Sequence, residues 1–280
     1  MMLTGNAIKA GVMGFPIAHS RSPALHGWWL EHYRIDGAYL PMAVRPEHLG
    51  QALRALPVLG FAGCNLTIPH KEAALALVDL LDPLARRIGA VNTIIVGADG
   101  SLEGRNTDAF GFIANLRAAG GWSAQGRICT VIGAGGAARA IIAALLAEGA
   151  SEIRLVNRTA ARAERLAAEF GIRAVSWDER EAALEDAALL VNTTNQGMHG
   201  EPPLDVSLFR LPREALVNDI VYVPLETPLL AAARARGNPI VDGLGMLLHQ
   251  ARPGFAAWFG IEPTVTPELR AAVLASYAAS

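Results

Sequence analysis

The stretch ICTVIGAGGAA at 128–138 constrains the fold of this chain more than any other. Five apolar or β-branched residues run directly into Gly133-Ala134-Gly135-Gly136-Ala137-Ala138, and a run rich in Ala, Ile and Leu follows. That order reads as a buried strand, a tight turn and a helix. Gly133 permits the turn, Gly135 lets a phosphate group approach the backbone, and Ala138 is small enough for close packing of helix on strand. The positive end of the helix then faces the anion. Glycines alone would also suit an ordinary strand-to-helix turn; it is the two flanks that point to a dinucleotide pyrophosphate. Gly133, Ala134, Gly135, Gly136 and Ala137 are its expected contacts.

The next predicted strand, 153–157, ends where a site for NAD would offer an acid to the ribose 2′-hydroxyl. Here the residues are Asn157, Arg158 and Thr159, with Arg162 one helical turn on. A neutral amide and two guanidinium groups suit a 2′-phosphate, which Arg can hold by charge-assisted and bidentate bonds. The expected cofactor is therefore NADP. The alternative is that Thr159 only caps the following helix and the arginines are solvated.

Short β-branched runs alternate with helical ones along the whole chain, the pattern of βα units and parallel sheets, so the fold class is α/β. A length of 280 residues exceeds one ordinary core and predicts two domains. Strands are expected at 8–12, 38–44, 60–66 and 90–96, with helices near 23–33, 46–56 and 69–80. A second series of strands falls at 128–132, 153–157, 173–175, 188–192, 216–220 and 239–241, the six of a Rossmann-type sheet. The stretch GGWSAQGR at 120–127 separates the two series, and the helical run 108–119 leads into it. Amphipathic helices at 245–259 and 267–279 come after the second series is complete and should pack back on the first domain. The expected domains are 1–107 with 243–280, and 108–242.

With 24 Lys and Arg against 26 Asp and Glu, the formal charge is −2, which lacks the footprint of a nucleic-acid or anionic-membrane binder. The longest wholly apolar run, 140–147, is eight residues, against the roughly 20 that span a bilayer. The first twenty residues show no secretory pattern. Cys64 and Cys129 offer neither a disulfide framework nor a metal-binding pair, which favours a reducing cytoplasm. No two of the seven histidines stand three or four residues apart, so no protein-bound metal is expected. A small-molecule substrate is the remaining kind of partner.

Five polar clusters stand out: GFPIAHSRSPALH at 14–26, NLTIPHK at 65–71, GAVNT at 89–93, GRNTD at 104–108 and DGLGMLLHQ at 242–250. In the second, third and fourth, the polar residues fall at or just after the end of a predicted strand or β segment. Ligands of α/β folds gather at the carboxyl ends of strands, so these sets are expected to converge on one pocket that reads hydroxyl groups.

These motifs, in this order, closely resemble the shikimate dehydrogenase family from Gly14 to Trp258-Phe259-Gly260. The resemblance implies reversible, NADPH-dependent reduction of 3-dehydroshikimate to shikimate, by a monomer or homodimer. It implies that Ser20 and Ser22 hold the substrate carboxylate, that Thr67, Asn92, Asp108 and Gln250 bind ring hydroxyls or the carboxylate, and that Lys71 is the catalytic lysine working with Asp108. Tyr222, in DIVYVPLET, is implied to face the substrate, and Ile220 and Gly243 to contact the nicotinamide. Asn157, Arg158, Thr159 and Arg162 match the family's phosphate clamp. Two departures are Gly27, where the family has Asn, and Asn192 to Met198, where it has an NATS-like segment.

The chemistry is consistent with those roles. Hydride transfer to a ketone also needs a proton, which the cofactor cannot supply. A lysine ammonium can donate it, and a neighbouring carboxylate can hold the lysine in place. The competing reading of Lys71 is a solvated residue in the first turn of a helix after Pro69, where a cation is mildly unfavourable. A quinate- or aminoshikimate-using relative would carry nearly the same motifs. A non-catalytic NADP sensor would have no need of the lysine and aspartate.

Overall fold

A computed structural model describes residues 3–278. The chain divides into two compact units, Met1–Asp108 with Leu247–Ser280, and Ala109–Met246.

The first unit begins β1 (Ile8–Gly14), α1 (Ser22–His32), β2 (Gly37–Ala43), α2 (Leu49–Val58) and β3 (Phe61–Leu66), and continues with β4 (Leu80–Leu81), α3 (Pro83–Ile88), β5 (Thr93–Val96) and β6 (Leu102–Arg105). Its sheet has the order β2-β1-β3-β5-β6-β4. The expectation of parallel pairing holds for β1 with β2 and β3, but β5 runs antiparallel to both β3 and β6. The cause is local: Gly97 N–H bonds Ser101 C=O at 2.8 Å and Asp99 accepts from Ser101 N–H at 3.0 Å, closing a tight hairpin that leaves no room for a crossover. This reversal matters for the site. It brings the amino end of β5 to the same sheet edge as the carboxyl ends of β3 and β6, with Asn65 opposite Thr93 and Thr93 opposite Arg105. Asn92 therefore precedes its strand instead of lying within one.

A second difference is at 69–80, where a helix is expected from the Ala- and Leu-rich composition. Only a short 3-10 turn forms, Ala73–Ala76, and Leu80–Leu81 is an edge strand on β6. Both ends of the stretch are held by tertiary bonds, Val91 N–H to Lys71 C=O at 2.8 Å and Asp79 N–H to Leu102 C=O at 2.9 Å. Lys71 thus sits in a turn, and the helix-dipole argument against it does not apply.

The second unit follows α4 (Asp108–Ala118) with β7 (Ile128–Ile132), α5 (Gly136–Ala147), β8 (Glu152–Val156), α6 (Ala160–Phe170), β9 (Arg173–Val175), β10 (Leu189–Asn192), β11 (Leu216–Asp219), α7 (Pro228–Arg236) and β12 (Ile240–Val241). All six strands are parallel, in the order β12-β11-β10-β7-β8-β9. That is the doubly wound order with its switch point between β7 and β10. Val131, Ile132, Leu155 and Val191 are buried in the sheet, and Ile141, Ile142 and Leu145 cover it from α5. The registers put Ile132, Asn192 and Asp219 side by side at the carboxyl edge.

The chain ends with α8 (Gly243–Phe259) and α9 (Pro267–Ala278); the expected extension of the last helix to Ala279 lies outside the described residues. These helices pack on the first unit, as expected. Trp258 Nε1 donates to Ile94 C=O at 3.0 Å and Trp29 Nε1 to Thr264 C=O at 3.0 Å. Trp29, Phe255 and Trp258 are buried around His26, whose ring stacks on Tyr39 at 3.9 Å between centroids. Among the described residues, no helix is long and apolar enough to cross a membrane.

Candidate active site

In the first unit, the edge formed by β3, β5 and β6 gathers the polar motifs. Lys71 Nζ lies 2.5 Å from Asp108 Oδ2, with side-chain exposures of 21% and 7%. Asn92 is buried and directs Nδ2 at Asp108 Oδ1 (2.8 Å), Thr107 Oγ1 (3.0 Å) and Gln250 Oε1 (3.2 Å). Its Oδ1 accepts from Thr107 N–H at 2.8 Å and from the Thr93 hydroxyl at 3.0 Å. Asn106 holds the start of α4 by accepting from Asp108 N–H at 3.0 Å while donating to Ala90 C=O at 2.9 Å. Four of the expected residues, Lys71, Asn92, Asp108 and Gln250, thus form one bonded cluster.

Tyr39 extends this cluster from β2: its phenol O–H donates to Asn65 Oδ1 at 2.6 Å. Asn65 Nδ2 in turn donates to Asn92 C=O and to Thr93 Oγ1, both at 3.1 Å. Burial pushes the Tyr39 phenol well above its ordinary pKa, which keeps it a neutral donor. Ser20 is half-buried and accepts from Ser22 N–H at 3.4 Å, while Ser22 itself is buried in the first turn of α1. Neither serine caps that helix: its N-cap is Arg21, with no side-chain cap bond. Thr67 is half-buried, and its backbone is tied to Met13 C=O at 3.0 Å.

Tyr39, Asn65, Thr93, Asn106 and Thr107 belong to this network too, although the sequence does not single them out as site residues. Four of them lie inside the quoted motifs, so the motifs themselves are their signal. Tyr39 lies in β2 outside any motif, and only its pairing across the sheet reveals it.

In the second unit, Gly133 has φ +112° and an added Cβ would meet Thr193 Oγ1 at 2.4 Å, so the turn requires glycine. Gly135 and Gly136 are different: an added Cβ at either would meet nothing within 4 Å. The backbone at the start of α5, with Gly135 as its N-cap, is therefore open to a ligand, and the residues fit a bound pyrophosphate. Ala138 is fully buried against the sheet. Beyond β8, Asn157 Nδ2 bonds Thr159 C=O at 2.9 Å, and Thr159 N-caps α6 without a side-chain cap bond. Arg158 and Arg162 are exposed and make no ion pair among the described residues, whereas Arg139 nearby is paired with Glu169. Two unpaired cations beside a neutral amide suit a 2′-phosphate. Ile220 and Gly243 are also brought together, since an added Cβ at Gly243 would lie 2.3 Å from Ile220 O. Tyr222 is half-buried on the segment after β11.

The departures are structurally mild. Gly27 lies on α1 with open space beside it. The segment after β10 is held by Asn192, whose Oδ1 accepts from Thr194 N–H at 3.0 Å and from its hydroxyl at 2.8 Å. Among the described residues no group of three or more His, Cys, Asp and Glu is placed to hold a metal ion.

A glycine loop at the switch point of one sheet and a lysine–aspartate pair at the polar edge of another place the chain in a class: two-unit α/β proteins built around a Rossmann-type sheet. Comparison with known proteins is more specific. Residues 12–94 match the model of the shikimate dehydrogenase substrate binding domain, and residues 117–199 the shikimate / quinate 5-dehydrogenase model. The chain is 62% identical over 275 residues to the shikimate dehydrogenase (NADP(+)) of Paramagnetospirillum magneticum, covering 97% of this chain and 100% of that protein. It is also similar to the crystal structure of shikimate 5-dehydrogenase from Thermus thermophilus in complex with NADP(H) and shikimate, at TM-score 0.87 and 40% identity over 96% of this chain and 99% of that one. Quinate dehydrogenase from Corynebacterium glutamicum, solved in complex with NAD, aligns at TM-score 0.89 with 31% identity over 96% of this chain and 99% of its own. The chain belongs to the shikimate dehydrogenase family.

Proposed function

We propose that this chain is an oxidoreductase that reversibly reduces 3-dehydroshikimate to shikimate with NADPH, a step of the shikimate pathway to chorismate and the aromatic amino acids. The observation that carries the reading is the Lys71–Asp108 pair at 2.5 Å, set among the amides and hydroxyls of Asn92, Thr107 and Gln250. The NADP(+)-dependent relative at 62% identity and the neighbour solved with NADP(H) and shikimate support both the reaction and the cofactor.

When bound, NADPH supplies the hydride. The chain supplies the proton: Lys71 Nζ donates to the ketone oxygen as it gains negative charge, and takes the proton from the hydroxyl in the reverse direction. Asp108 holds the ammonium in place through Oδ2, and its Oδ1 is held by Asn92. Asn92 Nδ2 has two hydrogens for three acceptors, and the longest of the three contacts, 3.2 Å, is to Gln250 Oε1, which a substrate hydroxyl replaces as the partner of Asn92. Ser20 and Ser22 bind the carboxylate, Thr67 binds a ring hydroxyl or the carboxylate, and Tyr222 faces the substrate. In the second unit, Gly133 to Ala137 cradle the pyrophosphate, Asn157, Arg158, Thr159 and Arg162 hold the 2′-phosphate, and Ile220 and Gly243 contact the nicotinamide. The first unit is thus the substrate domain and the second the NADP domain. Two free, buried cysteines, with burial pushing the Cys64 thiol far above its ordinary range and so beyond physiological ionisation, suit a reducing cytoplasm. A monomer or homodimer suffices for these roles.

The test is NADPH formation by the purified protein with shikimate, with quinate and with neither. Activity with shikimate well above quinate supports the reading; activity with quinate alone, or with neither, refutes it.

A further inference from the structure

At the carboxyl edge of the second unit's sheet Asp219 is fully buried, and no step of the proposed mechanism uses it. Its Oδ1 accepts from Val221 N–H at 3.0 Å and from Asn192 Nδ2 at 3.0 Å, and its Oδ2 accepts from the Thr227 hydroxyl at 2.7 Å. Burial raises its carboxyl above the ordinary range, and the three donors oppose that shift. Withdrawing a carboxylate from water is unfavourable, so the arrangement calls for a compensating role.

The bonding pattern indicates that role. A side-chain oxygen accepting from the N–H two residues on closes a turn, which here fixes the backbone of Ile220 between Asp219 and Val221. On one side Ile220 N–H donates to Asn192 C=O at 3.1 Å. On the other its carbonyl packs on Gly243, where an added Cβ would lie 2.3 Å from Ile220 O and 2.7 Å from Val221 O. Asn192 extends the same bracing to the next loop by donating to Gln196 C=O at 3.1 Å. Beside it, Thr193 N–H and hydroxyl both donate to Ile132 C=O at 2.8 Å, immediately before the glycine turn.

We propose, resting on the reading of the second unit as the NADP unit, that Asp219 is a positioning residue for the nicotinamide end of the cofactor. It acts through the Ile220 and Val221 backbone and, with Asn192, ties that segment to the loop beside Gly133. It touches neither substrate nor cofactor. Its removal releases the part of the site that faces the nicotinamide and leaves the glycine loop and Arg158 in place.

The experiment compares two probes on the full chain by calorimetric titration: NADP, and 2′-phospho-ADP-ribose, which lacks the nicotinamide. In Asp219→Ala, NADP should bind ~10-fold or more weakly and 2′-phospho-ADP-ribose by less than ~2-fold, because only the nicotinamide end of the ligand depends on the segment that Asp219 braces. Asp219→Asn retains an oxygen for Val221 N–H and should recover most of the loss. Asp219→Glu keeps the charge but displaces the acceptor, and should resemble the alanine variant. If Asp219→Ala does not fold, Thr227→Val, which removes one of the three donors, should shift the same ratio in the same direction by a smaller factor, with Thr227→Ser restoring it. Equal weakening of both probes, or no change in their ratio, overturns the proposal. Failure of the unaltered chain to bind either probe would instead overturn the underlying reading of the NADP unit.

Discussion

Asp108 holds Lys71 Nζ with one carboxylate oxygen at 2.5 Å and the Asn92 amide with the other at 2.8 Å, so a single buried side chain couples the proposed proton donor to the hydroxyl-reading network. Groups that act as one unit lose function together when either is removed.

For that reason Lys71→Ala and Asp108→Ala are each expected to lower kcat by ~10²-fold or more, the usual scale of lost acid-base catalysis, and the double variant should be little worse than either. The dissociation constant for NADP should stay near its starting value in all three. Steady-state kinetics with a separate binding titration checks this, and additive losses would show that the two residues act independently.

The unpaired cations beyond β8 lead to a cofactor preference. Arg158→Ala should weaken NADP by roughly 10- to 100-fold, since a charge-assisted contact contributes about 1.5–3 kcal/mol, and NAD much less. Measuring kcat/KM for both cofactors tests the clamp; equal losses, or an unaltered chain that prefers NAD, would remove it.

Replacing Ser20 and Ser22 together by Ala should raise the KM for shikimate by ~10-fold or more, because two hydroxyl donors to a carboxylate are lost. The KM for NADP should hardly change. An unchanged shikimate KM would place the carboxylate elsewhere.

Stability should depend on pH through His26. Its ring is fully buried between Tyr39 and Phe255 with no hydrogen-bond partner for either nitrogen among the described residues, and burial lowers its pKa from 6.5 to about 3. The folded chain therefore keeps it neutral while the unfolded chain takes up a proton as pH falls below 6.5. Its contribution is complete above that pH and declines towards pH 3 by about 1.4 kcal/mol per unit. His249, also lowered by burial, acts in the same sense, and Asp219, raised by burial, in the opposite one. Urea unfolding from pH 7 to 4 should show a shallower decline in His26→Phe, which keeps a ring against Tyr39. An unchanged slope would mean that His26 does not set it.

Much of the second unit is legible in the sequence. The predicted strands at 128–132 and 173–175 coincide with β7 and β9, and the others differ from the observed ones by a residue or two. In a parallel sheet covered on both faces each strand is a short apolar run bounded by turns, so every boundary is written locally. The first unit is harder. The edge strand β4 has two residues, too few to carry an alternating pattern, and β6 reads LEGR, with neither β-branched residues nor aromatics. Their existence depends on partners across the sheet.

The same division holds for the site. The glycine turn and the missing acid after β8 can be read directly from the residues, because a positive φ, a small side chain or a functional group is a property of the residue itself, whereas Lys71, Asn92 and Asp108 are singled out by the resemblance of their motifs to a known family. How those residues meet is a property of the folded chain. The reversal of β5 places Asn92 beside Asp108, the turn at 69–72 carries Lys71 where composition predicts a helix, and Tyr39 enters from a strand that no motif marks. Hydrogen bonds between residues far apart in the chain are set by sheet order and register, and these follow from the sum of all packing contacts, not from any one segment.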